Sequence, residues 1–357
     1  MRLSHLMIVL FGVFTAQVGL AQQSCGRVFM GDVGGKRSIE TLRELKIMTY
    51  NAENLIVESE IKGGAQGHHD QAFKNDAELH QMRMIINENQ PDFMVLQEVG
   101  SLESLQTLAK IAPLKGQYEP LLKEGNDHFH IGFLVKSDLN FRYFIESHKD
   151  VRFFDPIEGR EMPVFSRDLP ALMVMKEGSD KPVMIIFGNH AKSKRDRDGD
   201  PESNKLRTKQ YEVAAEIIKG YQAKYGKDVP IMFAGDFNTD VQVAPEVAPL
   251  KAVLDSSFNW AKETDRAKDR ITHTFHPSDE PTQYSQIDDV MISASLMKNV
   301  LEAHVIPYKD KNGKVLPPAK DYEERSKQPS DHRPIMIKIS TEGFNTSWIA
   351  MPFDLVA

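Results

Sequence analysis

"IMFAGDFNTD", residues 231–240, carries an apolar run into Asp236, Asn238 and Asp240. A short run this apolar, bounded by polar residues, reads as a strand buried on both faces. Its tail is where the chain leaves the core. Asp and Asn at such a point commonly close a turn through their own side chains, so a single strand end decides little. What matters is whether other strands end alike.

They do. Apolar runs rich in β-branched residues recur at "LKIMTY" (45–50), "DFMVLQ" (92–97), "IGFLVK" (131–136), "ALMVMK" (171–176), "VMIIFG" (183–188), "DDVMIS" (288–293) and "PIMIKI" (334–339). Asn51 follows the first, Glu98 the second, and Asn189 with His190 follows "VMIIFG". Asp288 opens "DDVMIS", and Asp331 with His332 precedes "PIMIKI". Polar groups gathered at strand ends converge on one rim of a sheet. Each has an ordinary alternative: turn closure for the Asp and Asn residues, helix capping near Ser101 for Glu98, a structural role for His190. The recurrence is what points to a site. Asp240 lies beyond it and reads as a turn residue.

Helical patterns occupy 76–89, 101–111 and 205–226, the last with an apolar stripe through Leu206, Tyr211, Ala214 and Ile218 and a stop at Gly226. Strands and helices interleave without a Pro/Gly/Ser-rich linker or an internal repeat, which predicts one α/β domain. The polar stretches 58–76, 194–205 and 309–328 are expected to be long loops.

The chain has 357 residues, 41% of them hydrophobic, enough for a large single core. It begins with Arg2, a short apolar stretch, then Gly19 and Ala21, the pattern of a secretory signal peptide over 1–21. Secreted or periplasmic location follows as an expectation. Cys25 is the only cysteine, so no intrachain disulfide forms, and "AQQSC" lacks the aliphatic and small residues of a lipoprotein signal. No later segment is apolar enough to span a bilayer, so no stable membrane association is expected. The net charge of −7 does not advertise nucleic-acid binding. A local basic strip can still hold phosphate in an acidic protein.

Carboxylate and amide oxygens without a cysteine cluster favour a hard cation, Mg²⁺ or Mn²⁺, over zinc. Such an ion polarises a phosphoryl oxygen and steadies the leaving oxyanion, while a carboxylate activates water and histidine donates to the developing charge. The chemistry that suits this residue set is hydrolysis at phosphorus.

"IMTYNAEN", "VLQEV", "GNHAKSK", "GDFNTD", "QIDDVMIS" and "SDHRPI" stand in the order and approximate spacing of one known group. Over about residues 45–340 the chain resembles the endonuclease/exonuclease/phosphatase superfamily, the deoxyribonuclease I-like proteins. The resemblance implies two packed β-sheets flanked by helices, an α/β sandwich, with the site at one end. It implies an N-terminal segment over 22–44 and the superfamily's domain over 45–357. Asn51, Glu98 and Asp331 match metal-site residues, with Glu98 the main ligand. Asp236 matches the residue that activates water and Asn238 its partner on the phosphate. His332 matches the phosphate-binding or proton-transferring histidine, and Asp288 the carboxylate that orients it. Asp288 is preferred to Asp289 because it follows Ile287 as in the superfamily's motif, and alternation turns only one of the two toward the site. His190 resembles the histidine of the deoxyribonuclease I and sphingomyelinase branches, a candidate general acid that abasic-site repair enzymes lack. Arg167 resembles an arginine that reaches the substrate phosphate.

The fold serves several phosphoesters, so the substrate must come from local features. "NHAKSKRDRD" sets Lys192, Lys194, Arg195 and Arg197 just after His190, where they could track a phosphate backbone beside Asn189. The "NH.KSK" form followed by "LRTKQ" resembles extracellular bacterial nucleases of the superfamily. A nuclease acting on DNA or RNA is the leading reading; the alternative is a phosphatase or sphingomyelinase-type phospholipase C. Trp260 and Trp348 are the only tryptophans, too few for a tryptophan-rich membrane hairpin, and the Pro-Trp-(Cys)-Asp-Arg signature of inositol polyphosphate phosphatases is absent. A binding protein on a dead scaffold is disfavoured by the complete residue set. "DRDGDPE" (196–202) has the oxygen-rich spacing of a Ca²⁺ loop without a complete ligand set. "GHHD" (67–70) reads as a solvent loop, and "NTS" (345–347) fits a glycosylation acceptor.

Overall fold

The computed structural model describes residues 36–62 and 73–344. The signal peptide, Cys25, "GHHD", "NTS" and Trp348 lie outside the described residues.

The continuous apolar runs form the centres of two sheets. The seven-stranded sheet runs, edge to edge, Glu263–Thr264, Val300–Val305, Ile335–Ser340, Glu44–Leu55, Phe93–Val99, His130–Lys136 and Tyr118–Leu122. The six-stranded sheet runs Asp255–Ser256, Asp288–Ile292, Ile231–Asp236, Pro182–His190, Ala171–Met175 and Arg142–Glu146. Alternation explains why these strands read as uninterrupted apolar segments, since both faces are covered. Met232 and Ala234 face the other sheet and meet Ile47, Phe93 and Ile337 there. Ile231 and Phe233 turn the other way, with Tyr211, Ala214 and Ile218 of the helix Asn204–Tyr225. On the far side, Met48, Tyr50 and Leu96 pack with Leu79, Met82 and Ile86 of Asp76–Asn89 and with Leu105 and Leu108 of Leu102–Lys110. The result is four layers, helix on sheet on sheet on helix. Ile39 and Leu42 also join the core between the sheets.

At the heart of each sheet lies a parallel pair: Glu44–Leu55 beside Phe93–Val99, and Pro182–His190 beside Ile231–Asp236. Parallel neighbours finish at the same edge, so Asn51 with Glu98, and His190 with Asp236, emerge side by side. The antiparallel neighbours enter where these leave. Asp288 is the register partner of Asp236, and Ile335, three residues after His332, is the partner of Thr49. One rim thus collects residues from both sheets.

The strands Tyr118–Leu122, Arg142–Glu146 and Val300–Val305 do not stand out in the sequence because they are half-buried and mix polar with apolar residues. Two small hairpins, Arg152–Asp155 with Arg160–Pro163 and His273–Phe275 with Gln283–Ser285, are likewise additions. Among the described residues no helix is long and apolar enough to cross a membrane.

Candidate active site

Asp236 is the centre of the rim. Its Oδ2 accepts from Asn51 Nδ2 at 3.0 Å and Asn238 Nδ2 at 3.1 Å, and its Oδ1 from the Asn238 backbone N–H at 2.6 Å. The same Oδ2 lies 3.5 Å from His190 Nε2 and 3.9 Å from His332 Nε2. Its placement depends on Gly235, whose φ is +150°. A Cβ there would stand 1.9 Å from the Asn189 carbonyl oxygen, so only glycine lets the parallel pair close this tightly. Burial pushes the Asp236 carboxyl up to about 7; nearby His332 draws it down and Asp288 raises it further.

The two histidines are built differently. His332 donates Nδ1–H to Asp288 Oδ2 at 2.8 Å. Its backbone N–H bonds Ser330 Oγ at 3.0 Å, while the Ser330 hydroxyl donates to Asn51 O at 2.8 Å and the Tyr308 hydroxyl to the His332 carbonyl. Asp288 is held in turn, because Thr272 Oγ accepts the backbone N–H groups of Ile287 and Asp288. Burial works against a charged His332, but Asp288, Asp236 and Asp331 outweigh it and hold the imidazole well above its ordinary range. His190 has no such acid behind it: its Nδ1 is buried without a partner among the described residues. Burial, with Arg167 and His332 nearby, pushes it well below the ordinary range.

Glu98 has a left-handed backbone, φ +59°, as does Asn238 at +50°, an arrangement that costs free energy and clusters at functional sites. Glu98 does not cap the following helix. Ser101 does that, accepting from Glu103 N and Ser104 N. Instead Glu98 Oε1 lies 3.3 Å from Asn51 Nδ2 and 3.9 Å from His190 Nε2, and Oε2 accepts from Asn54 N–H at 3.0 Å. Asn51 Oδ1 accepts from Glu53 N–H at 3.0 Å. Glu98 and Asn51 thus offer adjacent oxygens at a partly open edge, a fit for a hard divalent cation.

Asp331 looks elsewhere. Its carboxylate lies 3.8 Å from His273 Nε2 and 3.9 Å from both His332 Nε2 and Arg325. Ligand atoms of His273, Asp331 and His332 fall within 4.8 Å of one another. Sequence reasoning missed His273, which sits alone in "THTF" and reaches the site only because its hairpin bridges to His332. Burial and the neighbouring His332 depress it to about 3, against the pull of Asp331.

Arg167 NH1 donates to Ala191 O at 3.3 Å, and its Nε stands 4.0 Å from Asp127. Lys192 is half-buried near it; burial, Arg167 and Arg195 lower its basicity. Lys194 is exposed. Asn189 is not free to bind substrate in this arrangement. It is 5% exposed and donates Nδ2–H to the Asp236 carbonyl at 2.8 Å, tying the central strands together. Arg197 is also withdrawn from the imagined phosphate track, paired with Asp155 at 2.5 Å. In the expected calcium loop, Asp200 accepts Lys205 N–H and Leu206 N–H while Asp196 accepts Glu202 N–H, so these acids fasten the start of the long helix. Asp240 closes its own turn through Gln242 N–H. Asp289 points into the core and accepts from the Ser256 hydroxyl at 2.8 Å.

No protein-family model and no curated protein matches the sequence. Solved structures do match in fold. Truncated TDP2 of Caenorhabditis elegans is 16% identical, with 83% of this chain and 98% of that one covered and a TM-score of 0.54. An endonuclease/exonuclease/phosphatase family protein from Bacteroides thetaiotaomicron is 16% identical over 83% and 95% of the two chains, TM-score 0.53. A mannosyl-6-phosphatase from the same organism is 18% identical over 83% and 99%, TM-score 0.53. By its layers, sheet order and these likenesses, the chain has the deoxyribonuclease I-like fold of the endonuclease/exonuclease/phosphatase superfamily.

Proposed function

We propose that the protein is an exported, divalent-metal-dependent phosphodiesterase whose substrate is DNA or RNA. The observation that carries this reading is Asp236, buried between two histidines and held up to about 7. A carboxylate that titrates near neutrality is suited to take a proton from an attacking water. Asn51 and Asn238 hold its Oδ2 in place while it does so. His332, kept charged by Asp288, is suited to donate to a phosphoryl oxygen as negative charge develops there. Glu98 and Asn51, with Asp331 at the opposite side, would hold Mg²⁺ or Mn²⁺, which supplies Lewis acidity to the phosphate and the leaving oxygen. Arg167, Lys192 and Lys194 stand on the side of the rim where flanking phosphates would pass.

A phosphomonoesterase is the second reading, favoured by the likeness to the mannosyl-6-phosphatase. One panel separates them: purified protein lacking residues 1–21, with Mg²⁺ or Mn²⁺, on single-stranded DNA, duplex DNA, RNA, sphingomyelin and sugar phosphates. Nucleic-acid cleavage that stops in EDTA is the expected result. Hydrolysis of sugar phosphates or sphingomyelin with inert nucleic acid would reverse the ranking.

A further inference from the structure

His332 is the first ring of a ladder that leaves the site. His273 lies over it with ring centroids 4.6 Å apart. Phe275, on the same face of the same strand, continues from His273 at 6.4 Å with the planes only 14° apart. Phe275 is 52% exposed, so the ladder ends in the open. There it lines a cavity of about 340 Å³ together with Phe73, Tyr322, Lys74, Arg325 and Asp331. Phe73 and Tyr322 are 41% and 74% exposed, large apolar surfaces with no covering residue of their own.

The floor of the cavity is ionic. Lys74 lies 3.6 Å from Glu53 and from Glu78, and donates to Pro329 O. Arg325 pairs with Glu53 and stands 3.9 Å from Asp331. The two cations offset carboxylates that would otherwise repel a phosphate-bearing ligand. Aromatic walls over a neutralised polar floor suit a flat heteroaromatic ring with hydrogen-bonding edges. They do not suit an acyl chain, which would strand the ions.

We propose that this cavity is a stacking platform for one unpaired nucleobase adjacent to the scissile phosphate, with Phe275 as the principal ring and Tyr322 and Phe73 as walls. This rests on the nuclease reading of the rim and narrows it. In an intact duplex each base is stacked and paired and must be drawn out to reach such a platform, so single strands and frayed ends are the preferred substrates.

The test is binding of fluorescein-labelled oligonucleotides by anisotropy, with EDTA to halt turnover: a single-stranded hexamer, the same hexamer with abasic sugars, and a blunt duplex. The wild type should favour the base-bearing strand over both others by about tenfold. Phe275→Ala and Tyr322→Ala should each lose about that factor on the base-bearing strand and leave abasic binding unchanged, while Phe275→Trp retains it. No preference for the base-bearing strand, whatever the absolute affinity, overturns the platform. So does Phe275→Ala weakening both strands alike. If the wild type prefers bases yet hydrolyses no phosphodiester with Mg²⁺, the platform stands and the nuclease reading falls. Cleavage of strands without any base preference does the reverse.

Discussion

Two sheets each bring one histidine to the same carboxylate, and they bring it in opposite states. His190 is the last residue of a central strand and arrives with an empty Nδ1. His332 precedes the last strand of the other sheet and arrives with Asp288 already on its Nδ1. Burial alone would neutralise both. The difference lies wholly in what stands behind the ring, and it divides the labour: the charged imidazole suits a donor to the phosphate, the neutral one a shuttle or an acceptor.

The largest effect should come from removing what the two share. Asp236→Ala leaves both rings facing a void and is expected to lower kcat by at least a thousandfold, read by steady-state turnover with circular dichroism unchanged. Turnover within tenfold of wild type would remove Asp236 from the chemistry. Next, His332→Ala and His190→Ala should each cost about a hundredfold to ten-thousandfold. If they act as one unit, the double variant will be little worse than the poorer single one; full multiplication of the two losses would mean independent tasks.

Asp288→Asn breaks the asymmetry itself. It takes away the charge that raises His332, so the ring should lose its proton at lower pH and the high-pH limb of kcat should move down. The same charge raises Asp236, so the low-pH limb, expected near 7 in the wild type, should move down too. A profile that keeps both limbs would show that Asp288 only props the ring in place. The smallest catalytic effect belongs to its neighbour. Asp289 is pushed up to about 7 from an ordinary 3.8, chiefly by burial, and no histidine meets it. Its folded form therefore holds a proton between those values that the unfolded form releases, so stability falls as pH rises through that window and levels off above about 7. Asp289→Asn should flatten this dependence in thermal melts and leave the turnover profile alone.

The contrast also marks what could be read from residues alone. Buried strands are legible because both faces are apolar, and "IMFAG" or "VMIIFG" announces itself; the helix at 76–89 has the same boundaries in the structure. The half-buried strands Arg142–Glu146 and Val300–Val305 are not, since their composition is that of surface. Within the site, the residues at the ends of central strands were legible as a recurring pattern. His273 was not, because nothing local distinguishes a histidine in a short hairpin until the hairpin's bridge to His332 is known. Asn189 misled for the converse reason: it sits at the right strand end, but its amide is turned back to the Asp236 backbone.

Asp236 and His332 belong to different layers, and the 3.9 Å between their polar atoms is set by how thickly Met232, Ala234, Ile337 and their neighbours fill the space between the sheets. The rim is in effect a caliper closed on the sandwich. A core substitution far from any reacting atom that lets the layers part by a fraction of an ångström would be registered as lost turnover while every strand remained paired.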